Sequence, residues 1–562
     1  MKSPISGDRR NYLLVAIVLI APAIAVWQWL PPPARTLSAA ATGVRGAIHV
    51  HTRRSDGSGT PEQIAAAAAR AGLQFVILTD HGDGTRAPAP PAYYSRVLAV
   101  DALEISAEDG HVIALGLPKS PYPLGGEVRD ILEDIARAGA MSVAAHPGSM
   151  KPQLRWTDWT SPFDGLEWLN ADSESRDEQW HRFVRVLFTY PLRPSSSIGT
   201  LLDRPEAILR RWDALTARRR VVALAGADAH ARLDVSGDDR SRNAVLNVPG
   251  YETMFRTFSI TASGVRFTGD ANADSAALLD AIRRGHAYTT IDALATPGAV
   301  AFTASRGGVT WQAGDFVPAG EGDIELQAES NASPGSRVVL FRNGSVEATG
   351  ERMLRRVVPG TPAVYRVEIQ VADAPGNPPI PWVVTNPIYV RSQDAKPVAR
   401  GEPSERASLY QDGEARGWRI ETSPRSKGAI DVARTTTGTQ LLLRWAIGGT
   451  RSESPYAAFV MPTGTLLPAN DRLLFNGRAD KPMRLSVQFR LGSGERWRRS
   501  VYLDETAREV AVFFDEVRPV GETTQRRLPL GQVRDVLFVV DTVNATPGNA
   551  GQFWIDDVQY GR

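Results

Sequence analysis

The stretch GAIHVHTRRSDG carries His49 and His51 two residues apart, with Asp56 five positions further on. LTDHG then supplies His81, ALEISAEDGHVIALG supplies Glu104 and His111, AAHPG supplies His146, and GADAH supplies Asp228 and His230. The chain holds eight histidines in 562 residues, and six of them stand in this series, each closing a run of β-forming residues or lying just past one. Neutral imidazole and carboxylate suit divalent Zn, Mn or Fe, and the chain has no cysteine to offer thiolate. Two cations about 3.5–4 Å apart lower the pKa of a bridging water, so a metal-bridged hydroxide is the expected nucleophile. No serine or cysteine nucleophile is then required. Arg54, just past His51, and Lys151, after the HPG turn, are candidate substrate-binding cations for an anionic group. Glu167 in GLEWLN stands where it could orient a histidine from behind. His181, beside Trp180, and His286, in RRGHAYTT, read as ordinary structural histidines.

Such a series needs a scaffold that brings distant strand ends together. Residues 44–295 alternate apolar strand-like runs (GAIHVH, FVILTD, MSVAAH, VVALAGADAH) with helical stretches, the pattern of an α/β domain. Thr60, Pro61 and Gln63 form a capping signal before IAAAAARAG, and further helices are expected near 127–138, 174–190, 204–217 and 275–284. In a parallel barrel the strand C-termini converge on one face. Side chains two apart on a strand point the same way, so His49 with His51, and Asp228 with His230, are expected to grip one centre.

Near residue 296 the texture changes to period-two alternation. Residues 296–395 are expected to form an Ig-like β-sandwich, 396–409 a linker, and 410–562 a jelly roll of the carbohydrate-binding kind. In that last part Trp445, Tyr456, Trp497 and Trp554 either stack on sugar rings or fill the core.

The ordered set HVH, SDG, LTDHG, LEIS, GHVIALG, AHP and GADAH resembles the PHP superfamily, named for polymerase and histidinol phosphatase, over residues 44–295. AIRRGHAYTT and PWVVTNPIYV are similar to the branch that includes carbaryl hydrolase. The resemblance implies a distorted seven-stranded (β/α)7, TIM-like barrel holding two or three divalent metal ions. Carried over residue by residue, His49, His51, Glu104 and Asp228 would hold one metal. Glu104, His111 and His146 would hold a second, with Glu104 as the bridge, and Asp56, His81 and His230 a third.

Bulk properties narrow the partners. With 64 basic against 62 acidic residues there is no electrostatic case for nucleic acid. Residues 12–30 carry no charge and follow Lys2, Arg9 and Arg10, so an N-terminal transmembrane anchor over 1–34, or a cleaved signal segment, is expected. Either places the working domains outside the cytoplasm. The expected function is a metal-dependent hydrolase of phosphoesters, small or glycan-linked. The alternatives are a hydrolase of carboxylic, carbamate or amide esters, and a metal-stabilised glycan-binding or scaffold protein.

Overall fold

The run GVRGAIHV forms strand β1 (Gly43–Val50), buried over most of its length, with a parallel neighbour along one edge and an antiparallel and a parallel neighbour sharing the other. Helix α1 (Pro61–Arg70) follows, with Thr60 accepting the Gln63 N–H and Gln63 reaching back to the Thr60 N–H, the capping pair read from the sequence. Strands β2 (Phe75–Leu78), β3 (Val97–Asp101), β4 (Leu103–Ala107), β5 (Gly110–Leu115), β6 (Met141–Ala145), β7 (Gly165–Asn170), β8 (Val222–Ala229), β9 (Ser259–Ser263) and β10 (Ala287–Thr290) complete this part. Helices at Val128–Arg137, Trp180–Thr189, Glu206–Thr216 and Ala271–Arg284 fall near the expected positions. This computed structural model describes residues 27–562 apart from 39–42, 172, 174–179, 233–248, 395–399, 411–414, 435–437 and 464–469.

The expected (β/α)7 barrel is not the architecture found. Among the described residues strands make up 42% and helices 16%, and the closed sheet is mixed. Strands β6, β7, β8, β1, β2 and β3 pair in parallel, whereas β4–β5, β5–β6, β1–β9 and β9–β10 are antiparallel. The physical reason lies in the connections. A parallel pair needs a long crossover, but an antiparallel pair needs only a tight turn, and Gly110 at φ 136° lets β4 return at once as β5. The sheet also does not end at residue 295. Strand β10 pairs antiparallel with Val383–Thr385, which joins Ala363–Gln370, Arg337–Arg342 and Ser345–Gly350 to the same sheet. Residues 296–395 are therefore continuous with the first unit instead of forming a separate sandwich. A four-stranded antiparallel sheet built around Val300–Arg306 and Asp323–Ser330 accompanies them.

By packing, the described residues within 1–82, 88–118 and 135–396 form one unit, and those within 83–87, 119–134 and 397–562 form another. The second is a sandwich of two six-stranded antiparallel sheets around a core that includes Phe459, Phe475, Leu485, Phe538 and Phe553. Trp445 and Trp497 are buried in that core, while Tyr456 and Trp554 are half-buried, with the Arg478 guanidinium 3.6 Å from the Trp554 ring centroid. Inside this unit the fully buried Arg484 lies 2.8 Å from Asp134, 3.0 Å from Glu133 and 3.2 Å from Asp130. Arg499 pairs with Asp130 and Glu133 as well.

The expected transmembrane helix is not among these elements. Residues 1–26 and 39–42 lie outside the described residues, and among the described residues no helix is long and apolar enough to cross a membrane. Residues 396–399 of the expected linker are likewise outside them.

Candidate metal centre

All nine residues of the sequence series converge at one end of the first unit's sheet, and Glu104 on β4 is the hub. Its Oε1 lies 2.8 Å from His111 Nδ1 and 2.9 Å from His146 Nε2. Its Oε2 lies 3.2 Å from His49 Nε2, 3.3 Å from His51 Nε2 and 3.4 Å from His81 Nδ1. Asp228 Oδ1 sits 3.4 Å from both His49 Nε2 and His51 Nε2. Asp56 gathers His230, the one imidazole of the series not on Glu104, with Nε2 at 3.2 Å, and also meets His51 Nδ1 at 3.3 Å and His81 Nε2 at 3.5 Å.

The backbone is strained where it aims these groups. His49 has φ 65°, Asp228 φ 43° and His146 φ 31°, the left-handed region that non-glycine residues avoid. Register shifts accompany this strain between Ile48 and Val50 and between Gly226 and Ala229. Simple period-two alternation along β1 is therefore not what turns His49 and His51 toward one centre. Bulges re-aim them, at a cost of the order of 1–3 kcal/mol per strained residue that the surrounding fold absorbs.

A second layer holds the ligand residues in place. His49 Nδ1 is 2.7 Å from Glu167 Oε1, while Glu167 Oε2 accepts the His146 N–H at 2.7 Å and the Asn170 amide at 2.8 Å. Gly226 is required here, because a Cβ would lie 1.8 Å from Glu167 Oε1. The Tyr251 hydroxyl donates to the carbonyl of His51, at 2.8 Å, or of His230, at 3.1 Å, and accepts the Ser58 and Gly59 N–H groups at 3.0 Å each. Asp80 accepts from the Thr52 amide and hydroxyl, at 2.8 Å each, and from the Ser55 hydroxyl at 2.7 Å. Glu167 was legible as a supporting group, and Asp80 precedes His81 in LTDHG. Tyr251 lies 200 residues from His51, and no local pattern marks it.

The buried carboxylates set the protonation of the imidazoles around them. Burial alone would push the His49 imidazole down, but Asp228, Glu167 and Glu104 outweigh it and hold it well above its usual value. Burial is likewise overcome at His81 by Glu104 and Asp56, and at His230 by Asp56 and Asp228, so both rise to about 9. His51 is lowered by burial and by the neighbouring His230. Its Nε2 is buried without a hydrogen-bond partner although it faces two carboxylates, an arrangement that suits a shared cation better than a proton. Among the described residues, four groups of donor atoms are close enough to hold an ion: His51, Asp56, His81 and His230; His49, His51 and Glu104; His49, His146 and Asp228; and His81, Glu104 and His111. Compared with the expected partition, His51 also joins the Asp56 group, His81 takes the place expected of His146 beside Glu104 and His111, and His146 instead groups with His49 and Asp228, which is separate from the His49, His51 and Glu104 group.

The two candidate substrate cations fare differently. The Arg54 guanidinium is held by Asp80 at 3.0 Å and Asp101 at 2.5 Å, which makes it a structural tie. Lys151 stands in the turn after His146, its N–H donating to the Ser149 hydroxyl at 3.3 Å. His286 is held by Asp315 at 2.8 Å, outside the cluster.

No protein-family model and no curated protein matches the sequence. Among solved structures, parts of the chain are similar to a family 11 carbohydrate-binding module from Clostridium thermocellum in complex with a β-1,3-1,4-mixed-linked tetrasaccharide. That similarity has 14% identity over 28% of this chain and 94% of that one, with a TM-score of 0.24. A carbohydrate-binding module of the β-sandwich superfamily is similar at 13% identity over 48% of this chain and 99% of that one, with a TM-score of 0.21. An exo-β-agarase is similar at 11% identity over 27% and 25% of the two chains, with a TM-score of 0.20.

Proposed function

We propose that the chain is a metal-dependent hydrolase whose centre is the Glu104 cluster, with phosphoesters as the favoured substrates. The observation that carries this is the meeting of five imidazoles on the two oxygens of one buried carboxylate, Glu104. The donor set suits two or three divalent Zn, Mn or Fe ions, held by His49, His51, Asp56, His81, Glu104, His111, His146, Asp228 and His230. Such ions supply Lewis acidity and lower the pKa of a coordinated water. The chain's own contribution is to fix the ligands. Glu167 holds the His49 ring, Tyr251 holds the His51 and His230 backbones, and the burial of Glu104 keeps bulk water from the innermost donors. The same centre suits carboxylic, carbamate or amide esters.

Elemental analysis of the purified chain beside a panel of nitrophenyl phosphates, esters and carbamates tests the reading. We expect two or three transition-metal ions per chain, turnover that depends on them, and loss of both in His49→Ala and Asp228→Asn. Full turnover by metal-free protein would overturn it. Glycan binding is the reading of another class, since the descriptions of the similar solved structures name carbohydrate for those proteins. Of the four aromatics considered for it, Tyr456 and Trp554 are the half-buried ones, and binding of a mixed-linked β-glucan by the full chain without any turnover would favour it.

A further inference from the structure

The cluster is unevenly exposed. The side chains of His49 and His51 are 0% exposed and that of Glu104 1%, whereas those of Asp56, His230 and His81 are 14%, 28% and 33% exposed. A reactant therefore reaches the centre from the Asp56, His81 and His230 side. Most cations near that side are engaged. Arg54 lies between Asp80 and Asp101, Arg53 donates from Nε to the Ser58 carbonyl, and Arg155 donates to the carbonyls of Ser149 and Met150.

Arg232 differs. It stands two positions past His230, and its Nη1 makes a long contact of 3.3 Å with the Asp56 carbonyl. Its Nε and Nη2 are buried without a hydrogen-bond partner. Those two nitrogens form one edge of the guanidinium, with the parallel N–H pair that phosphate and carboxylate accept in a bidentate manner. Leaving charged donors buried and unpaired costs more than leaving a neutral group so. An oxyanion with two acceptor oxygens removes that cost, and Arg232 is tied through Nη1 to the backbone of Asp56, whose carboxylate meets the exposed imidazoles.

We propose that Arg232 is the specificity-determining residue that receives the anionic group of the substrate, a phosphoryl or carboxylate oxyanion, at the open side of the cluster. This rests on the hydrolase reading above and names the substrate class for it: the leaving or adjoining group carries a negative charge that the Nε and Nη2 edge grips. The sequence offered Arg54 and Lys151 for this task, because they directly follow recognisable motifs. Arg232 was overlooked because nothing local marks an arginine two residues past the last histidine of the series.

The test compares the full chain with Arg232→Gln and Arg232→Lys, measuring metal content, the binding of inorganic phosphate and of acetate, and KM and kcat on a nitrophenyl phosphate. Phosphate and acetate binding are measured in both metal-free and metal-loaded protein. Arg232→Gln is expected to keep its metal and to weaken oxyanion binding about 10- to 100-fold, the loss of one charge-assisted hydrogen-bonded pair, with the effect mainly in KM. Arg232→Lys restores only part, since a point charge cannot replace a fork. The ranking of phosphate against acetate assigns the anion. Unchanged oxyanion binding in Arg232→Gln overturns the proposal. Absence of metal from the unaltered chain overturns the hydrolase reading instead, and the metal-free titrations still judge Arg232. If Arg232→Gln does not fold, as read by its thermal melt, Arg232→Lys carries the comparison.

Discussion

His49 Nδ1 and Glu167 Oε1 meet at 2.7 Å inside the sheet, and this contact decides that the other ring nitrogen, Nε2, faces Glu104 and Asp228. Glu167 reaches the cluster only through that ring and through the His146 N–H, so it is a positioning residue. Glu167→Gln keeps the shape but sets an NH₂ group against one of three donors. We expect about a 10- to 100-fold loss of metal affinity with the fold retained, measured by competition with a chelator. Unaltered affinity would mean that the ring is oriented without Glu167.

Proton binding opposes cation binding at the exposed side of the cluster. His81 and His230 titrate at about 9 in the metal-free fold, above the ordinary value of about 6.5. Because their folded values are raised, their contribution to the stability of the metal-free protein is full below about pH 6.5 and is lost as pH rises through about 9. A cation must displace those same protons, so its affinity strengthens over the same window. Thermal melts should therefore show the metal-free protein losing stability from about pH 6.5 to 9 while the gain on adding metal grows. Parallel pH profiles for the two forms would count against shared sites.

Tyr251 ties a turn to two ligand-bearing backbones. Tyr251→Phe leaves the Ser58 and Gly59 N–H groups without their acceptor, for a loss of about 1–3 kcal/mol. Amide hydrogen exchange should quicken at Ser58 and Gly59, and the ion held by His51, Asp56, His81 and His230 should be the first one lost. Exchange unchanged at both amides would show that the hydroxyl is dispensable.

In the second unit, Arg484→Met removes the guanidinium from three carboxylates, leaving Asp130 and Asp134 buried with one fewer partner. Breaking a buried pair from one side typically costs about 3–5 kcal/mol, and denaturant unfolding should register a loss of that size. A loss below about 1 kcal/mol would place this network with exposed ion pairs.

The residues of the centre were readable because their chemistry is rare in this chain. Imidazoles that recur at the ends of successive apolar runs point to one place whatever the exact sheet order. The sheet order was not readable. ALEISAEDGHVIALG gives two runs of strand formers, and whether they continue onward or fold back depends on Gly110 taking φ 136°, which the run pattern does not specify. The join between β10 and Val383–Thr385 spans some 95 residues, too far for any local pattern to record.

The donor atoms, the missing thiolates, the capped helix α1 and the change to β texture past residue 296 could be read from residue order alone, because each depends on residue type or on spacing within a few positions. The fold was needed to show that the sheet is mixed, that Arg54 is a tie between two aspartates, and that Tyr251 and Arg232 stand beside the cluster. Those outcomes depend on which distant backbones approach, and on left-handed bends at His49, His146 and Asp228 that packing imposes against local preference.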